Sequence, residues 1–279
     1  MPIHDQGYRR YEGLRAAPGR AWAVIAKAGI RTLLGKRAFI GLLLLAWVPF
    51  IVRAVQIYAA ANLPQARFLA PDARMFRQFL DQQEPFLFFI TVYAGSGLIA
   101  NDRRANALQI YLSKPLTRAE YIFGKFTVLA TLLLAVTWLP GILLLLLQVM
   151  FAGSMTFLLH NLYLLPAITV YSLLQATAVG AAMLALSSLS RSSRYVGVLY
   201  AGLIFFSQAV FGIVLRITRD SSVAWISMPL DLQQVGDVIF RLPPRFHMAT
   251  WSAALAIALL IAASGFVLDR RVRGAEVVS

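Results

Sequence analysis

Long uncharged runs separated by short charged segments set the pattern of this chain, and they predict helices that cross a bilayer. Residues 38–52 carry no charge. That run falls short of the roughly 20 residues a crossing needs, so the first span continues through residue 61, with Arg53 snorkelling outward. Residues 85–100 predict a second span, rich in Phe, with Gly95 and Gly97 allowing close helix packing. Residues 126–190 hold no Asp, Glu, Lys or Arg. One helix cannot use them all, whereas two spans joined by a tight turn near Gly153 can. Pro140-Gly141 and Pro166 are expected to kink these two spans. Residues 195–215 and 246–268 complete six.

Between the spans, three segments carry a weaker amphipathic pattern. Residues 1–37 are basic, and Trp22, Ile25, Gly29 and Leu33 recur at helical spacing with Lys27, Arg31 and Lys36 between them. This predicts a helix lying in the membrane interface, its bases towards the headgroups. In residues 62–84, the first outer loop, Met75, Phe76, Phe79 and Leu80 form a short apolar stripe expected to lie on the membrane. In residues 216–246, the second outer loop, Leu230, Leu232, Val235, Ile239 and Phe240 surround Asp231 and Asp237, and one or two short helices dipping into the outer interface are expected.

Composition supports this class. The chain is 59% hydrophobic and 14% charged, against about 25% charged in soluble domains. The net charge of +14 is better explained by topology than by a nucleic-acid partner, since no recognition motif accompanies it. With both ends inside, the inner segments hold 18 of the 26 Lys and Arg and the outer segments 8. That bias favours both termini in the cytoplasm. The expected fold is therefore an all-α polytopic membrane protein. Its parts are a cytoplasmic leader with the interfacial helix (1–37), a six-span transmembrane domain (38–268) and a cytoplasmic tail (269–279), in an integral membrane location, the bacterial cytoplasmic (inner) membrane.

Candidate chemistry is mostly missing. There is no cysteine, and His4, His160 and His247 lie far apart, so no metal site or catalytic residue is expected. No G-x-x-x-x-G-K-[ST] phosphate loop is present, so no nucleotide cofactor is expected in this chain. The spans hold no carboxylate, which weighs against an ion-coupled carrier. Thr137, Gln148, Ser172, Gln175, Thr177 and Gln208 read as interhelical hydrogen-bonding groups.

The densest charge between two apolar runs lies in residues 101–125, with Asp102-Arg103-Arg104, Leu108, Gln109, Tyr111, Leu112-Ser113-Lys114-Pro115-Leu116-Thr117-Arg118, Glu120-Tyr121 and Gly124-Lys125. This stretch resembles the permease subunits of ATP-binding cassette exporters of the second type. In that family an acidic-basic pair, a Gly-Thr-Leu-like step and a Leu-Ser-x-Pro-x-[ST]-Arg-x-[EQ]-Tyr segment lead into span three. The chain departs at Asn106-Ala107, where Gly-Thr is usual, and at Gln109, where Glu is common. The resemblance implies that two permease subunits, copies or homologues, form a pore in the lipid bilayer. A separate ABC ATPase, which uses ATP and magnesium, docks under each and drives export. It also implies a coupling surface of Asp102, Arg103, Arg104, Leu108, Gln109, Tyr111, Leu112, Ser113, Pro115 and Arg118. There Leu108, Tyr111 and Leu112 suit an apolar cleft, the arginines its rim or the headgroups, and Pro115 ends the helix. The competing readings are an ordinary basic loop and, for the whole chain, a non-transport membrane scaffold or assembly factor.

Overall fold

A computed structural model describes residues 21–107, 116–152, 157 and 161–272. The described residues are helical with no strand, as the apolar runs require: a backbone out of reach of water satisfies its polar groups most simply within one segment. Among the described residues, five helices are long and apolar enough to cross a membrane.

The first helix, α1 (Ala21–Leu34), is followed by α2 (Arg37–Ala46) and α3 (Val48–Asn62). These last two form one long apolar rod with a break at Trp47, where Pro49 enters the first turn of α3. A 3₁₀ segment (Pro64–Leu69) leads to α4 (Ala73–Gln82), whose N-terminus is capped by Asp72 accepting from Met75 N at 2.8 Å. Next come α5 (Glu84–Ile90), continued by a π-helical turn (Thr91–Gly95), and the short α6 (Ala100–Arg104). After the undescribed residues come α7 (Arg118–Val136), α8 (Trp138–Ala152), α9 (Leu164–Leu189) and α10 (Ser193–Thr218). A 3₁₀ turn (Ser222–Ile226), α11 (Met228–Ile239) and α12 (Thr250–Arg271) follow.

The centre of the bundle is α9. Its run of Ala176, Ala178, Gly180, Ala181, Ala182 and Ala185 is buried, and side chains this small let several neighbours approach at once. Gly95 of the π-helical turn illustrates the closeness: a Cβ there would lie 2.5 Å from Met183 Cγ of α9. The leader helix α1 lies lengthwise along α7. Trp22 meets Phe123 edge-to-face at 5.1 Å, and a Cβ on Gly29 would sit 2.6 Å from Val128 Cγ2. The apolar spacing of α1 thus faces α7, while Lys27 and Arg31 are exposed.

Several expectations change. The second predicted span is not one helix: residues 96–99 form a turn between the π-helical turn and α6. Pro140 acts one turn early, as it must. Its ring opposes the carbonyl four residues before it, and α7 ends there, at Val136. Pro166 kinks nothing, because it lies in the first turn of α9, where no intrahelical N–H is needed. Arg53 does not simply snorkel: it donates to Gln56 Oε1 at 2.8 Å, Gln82 Oε1 at 3.2 Å and Gln78 Oε1 at 3.4 Å. The helix of the last predicted span begins at Thr250 rather than at residue 246.

Candidate functional site

The segment in which the resemblance places a coupling surface opens with α6. The turn at residues 96–99 interrupts the helical ladder before α6, and where it does so backbone groups need other partners. One side chain closes them. Ser187 Oγ, buried in the last turns of α9, accepts from Ile99 N at 3.1 Å and Ala100 N at 3.0 Å, and donates to Ser96 O at 2.9 Å. Asp102 then faces α7: its Oδ2 accepts from Tyr121 OH at 2.7 Å and pairs with Lys125 Nζ at 2.7 Å. The ammonium also stands over the Tyr121 ring, 5.5 Å from its centroid. Arg103 faces α9 and donates to the carbonyl of Ser188. Burial, and after it the nearby Arg271 and Arg191, hold the Arg103 guanidinium below its usual value. Arg103, Arg191 and Arg271 therefore gather at one end of the bundle.

Asn106 ends this brace with φ of 52°. That left-handed conformation suits Gly best and Asn next. The departure from Gly in the family pattern is thus conformationally conservative. On the far side Thr117 and Glu120 form a reciprocal capping box at the start of α7, with Glu120 N to Thr117 Oγ1 at 3.2 Å and Thr117 N to Glu120 Oε2 at 3.1 Å. Leu116 packs against the cluster of Ile99 and Tyr121. Of the predicted coupling residues, then, Asp102 and Arg103 turn inward as braces, while Arg104 and Arg118 are exposed. Leu108, Gln109, Tyr111, Leu112, Ser113 and Pro115 lie outside the described residues.

At the opposite end the two predicted outer loops meet in an ion network that the sequence reading missed. Arg77 of α4 is fully buried. It pairs with Asp81 one turn on and with Asp237 Oδ1 of α11 at 3.1 Å, and donates to Gln233 O at 3.2 Å. Its guanidinium lies 4.5 Å from the ring centroid of Tyr171 on α9. Arg245 closes the ring, meeting Asp81 Oδ2 at 2.5 Å and Asp237 Oδ2 at 2.8 Å. Gly236 makes room: a Cβ there would lie 2.5 Å from Tyr171 Cε2 and 2.8 Å from Arg77 Nε.

This corrects both loop expectations. The stripe Met75, Phe76, Phe79 and Leu80 is buried against α8 and α9 rather than laid on a membrane. α11 turns Asp231 and Asp237 inward and leaves Val238 45% exposed. Gln233 Nε2 also donates to both oxygens of Glu84 at 3.1 Å. Burial pushes the Glu84 carboxyl up to about 7 and that of Asp231 up to about 8. The sequence signal was present in Arg77-x-x-x-Asp81, an i,i+4 pair beside an apolar stripe. The polar residues inside the bundle prove less paired than expected. Thr137 Oγ1 donates to Leu133 O of its own helix at 2.9 Å, while Ser172 Oγ and Gln175 Oε1 are buried without a hydrogen-bond partner.

The chain thus presents a bundle of apolar helices with a braced basic segment at one end, as expected of a membrane permease. Comparison with curated proteins gives no match. The family model described as ABC-2 family transporter protein matches residues 23–265, and the chain belongs to that family of transporter permeases.

Proposed function

We propose that this chain is the membrane-spanning subunit of an ABC exporter, coupled to a separate ATPase that docks against residues 102–118. The brace at α6 is the observation that carries this reading. Asp102 ties the segment to α7, and Ser187 with Arg103 ties it to α9, so a push on the segment reaches two long helices at once. ATP and magnesium belong to the partner, and the chain alone does not hydrolyse ATP.

The same reading has six crossings and both termini in the cytoplasm of a bacterium, with α1 at the inner interface. Support comes from the ends of the bundle. Glu84 belongs to the ion-network end and Arg103 to the basic end, so the broken α5–α6 segment traverses the bundle between them. Its 19 residue steps give about 29 Å at helical rise, close to the roughly 30 Å hydrocarbon core. The outward apolar side chains of α3 and α10, such as Val55 and Phe206, suit lipid and a second permease copy.

The test is capture of the co-expressed ABC ATPase by wild-type chain and by Tyr111→Ala/Leu112→Ala at matched expression. Burying each apolar side chain contributes about 1.5–3 kcal/mol, so the double variant loses its partner and the stimulated ATP turnover while inserting normally. Full retention of both sinks the coupling assignment.

A further inference from the structure

Beside the ion network a cleft of about 330 Å³ opens between α5, α9, α10 and α11. Its wall is aromatic. Phe88 stacks on Tyr200 with ring centroids 5.8 Å apart and meets Phe205 edge-to-face at 5.0 Å. Its polar groups are Glu84, Gln175, Gln208 and the Tyr200 hydroxyl, with Asp81 at the network side.

The charges around this cleft do not balance. Arg77 and Arg245 are committed to Asp81 and Asp237, two cations to two anions. Among the described residues Glu84 has no ion pair, and its only hydrogen bonds come from the neutral Gln233 amide. Gln175 is 2% exposed, lines the cleft, and its Oε1 has no partner. An unpartnered buried acceptor costs about 1–3 kcal/mol, so a ligand that donates to it recovers that cost. Two acceptors, one of them a carboxylate, therefore face an apolar aromatic cavity. The described lining holds no guanidinium to take an anion, and the described residues offer no group of three metal-ligating side chains.

We propose that this cleft binds an amphiphilic ammonium ion, its N–H groups donating to Glu84 and Gln175 and its apolar body against Phe88, Tyr200 and Phe205. The ring faces add cation–π attraction, and a charge-assisted bond to a carboxylate in a dry site is strong. The assignment names a substrate class for the proposed exporter and rests on that reading only for the ligand being cargo.

The test is equilibrium dialysis of radiolabelled 4-phenylbutylamine, 4-phenylbutanol and 4-phenylbutyrate against the full chain in phosphatidylcholine nanodiscs, with empty discs subtracted. These probes share a skeleton and differ in charge. At about pH 8, with Glu84 ionised, the amine binds about tenfold or more tighter than the alcohol, and the carboxylate does not bind. Glu84→Gln removes the preference while alcohol binding persists, which also shows the cleft intact. Phe205→Ala weakens amine and alcohol alike. Lowering the pH to about 5.5 weakens the amine in wild type only, as Glu84 takes up its proton. Asp81 and Asp237 are held by Arg77 and Arg245 in both proteins, and Asp231 of α11, whose carboxyl burial also pushes up, does not line the cleft and takes up its proton in both alike, so none of them supplies this difference. Displacement of the amine by phosphatidylethanolamine in the disc assigns the ammonium to a lipid headgroup, and no displacement assigns it to a free amine; both carry the site. Equal binding of amine and alcohol to wild type, or a preference that survives in Glu84→Gln, overturns it. No ATPase is present, so failure here leaves the coupling assignment standing, and failed ATPase capture leaves this site standing.

Discussion

Arg77→Met isolates what the ion network contributes. Methionine fills much of the space of the arginine stem without its charge. The substitution removes the pair with Asp81, the 3.1 Å contact with Asp237, the bond to Gln233 O and the stacking on Tyr171. Asp81 and Asp237 are then left with Arg245 alone, two anions to one cation. Removing one partner of a buried ion pair costs about 3–5 kcal/mol, mostly because the other charge stays desolvated. For a chain of this size each kcal/mol is about 2–4 °C, so the melting midpoint falls by about 6–20 °C. Adding Asp237→Asn restores one cation to one anion at Arg245 and Asp81. The double variant should lose less than the two single losses combined, by about 0.5–3 kcal/mol. Thermal unfolding of the purified chain, followed by tryptophan fluorescence in one detergent, measures all four proteins. An unchanged midpoint in Arg77→Met, or strictly additive losses, would refute the view that the network clasps α4 to α11.

Three further outcomes follow from single positions. Gly236→Ala places a methyl against Tyr171 and Arg77 and costs about 1–3 kcal/mol, less in the Arg77→Met background, as the same melting assay reads. Asn106→Gly keeps the left-handed turn and the melting midpoint, whereas Asn106→Val loses about 1–2 kcal/mol. Glu84 binds its proton more tightly folded than unfolded, so stability declines as pH rises from the ordinary carboxylate range to about 7, by at most ~1.4 kcal/mol per unit. Between pH values near 5 and 8 the wild-type midpoint therefore drops more than that of Glu84→Gln; equal drops would show that Glu84 titrates normally.

The apolar rods were legible because uncharged length is a property of local sequence. α2–α3, α7–α8, α9, α10 and α12 all fall where the runs place them. A helix at Ala21–Leu34 was legible from the spacing of Trp22, Ile25, Gly29 and Leu33, but its packing along α7 was not. The network was not. Its key bonds join residues far apart in sequence, Arg77 to Gln233 and Arg245 to Asp81. Periodicity tells which face of a helix is apolar, not what will cover the polar one. Nothing in the residues around Asp237 points to Arg77 and Arg245, which reach it from elsewhere in the chain. The break in α5 was hidden for a similar reason: its open amides are closed by Ser187, a residue with no sequence signature.

That break links the two ends. α9 carries Tyr171 under the ion network and Ser187 under α6, separated by 16 residue steps, about 24 Å of helix. The network holds α4 and α11 to α9 through charge and ring contacts that only a dry site makes strong. The other end holds α6 by hydrogen bonds from one hydroxyl to three backbone groups. A turn whose polar groups are satisfied by its neighbour moves with that neighbour, because parting them leaves buried donors unpaired. The turn at residues 96–99 therefore ties α6 to α9 more firmly than to α5, which reaches it only through the π-helical turn. Under the proposed coupling, a load applied beyond Arg104 would therefore reach α7 through Asp102 and α9 through Ser187 and Arg103.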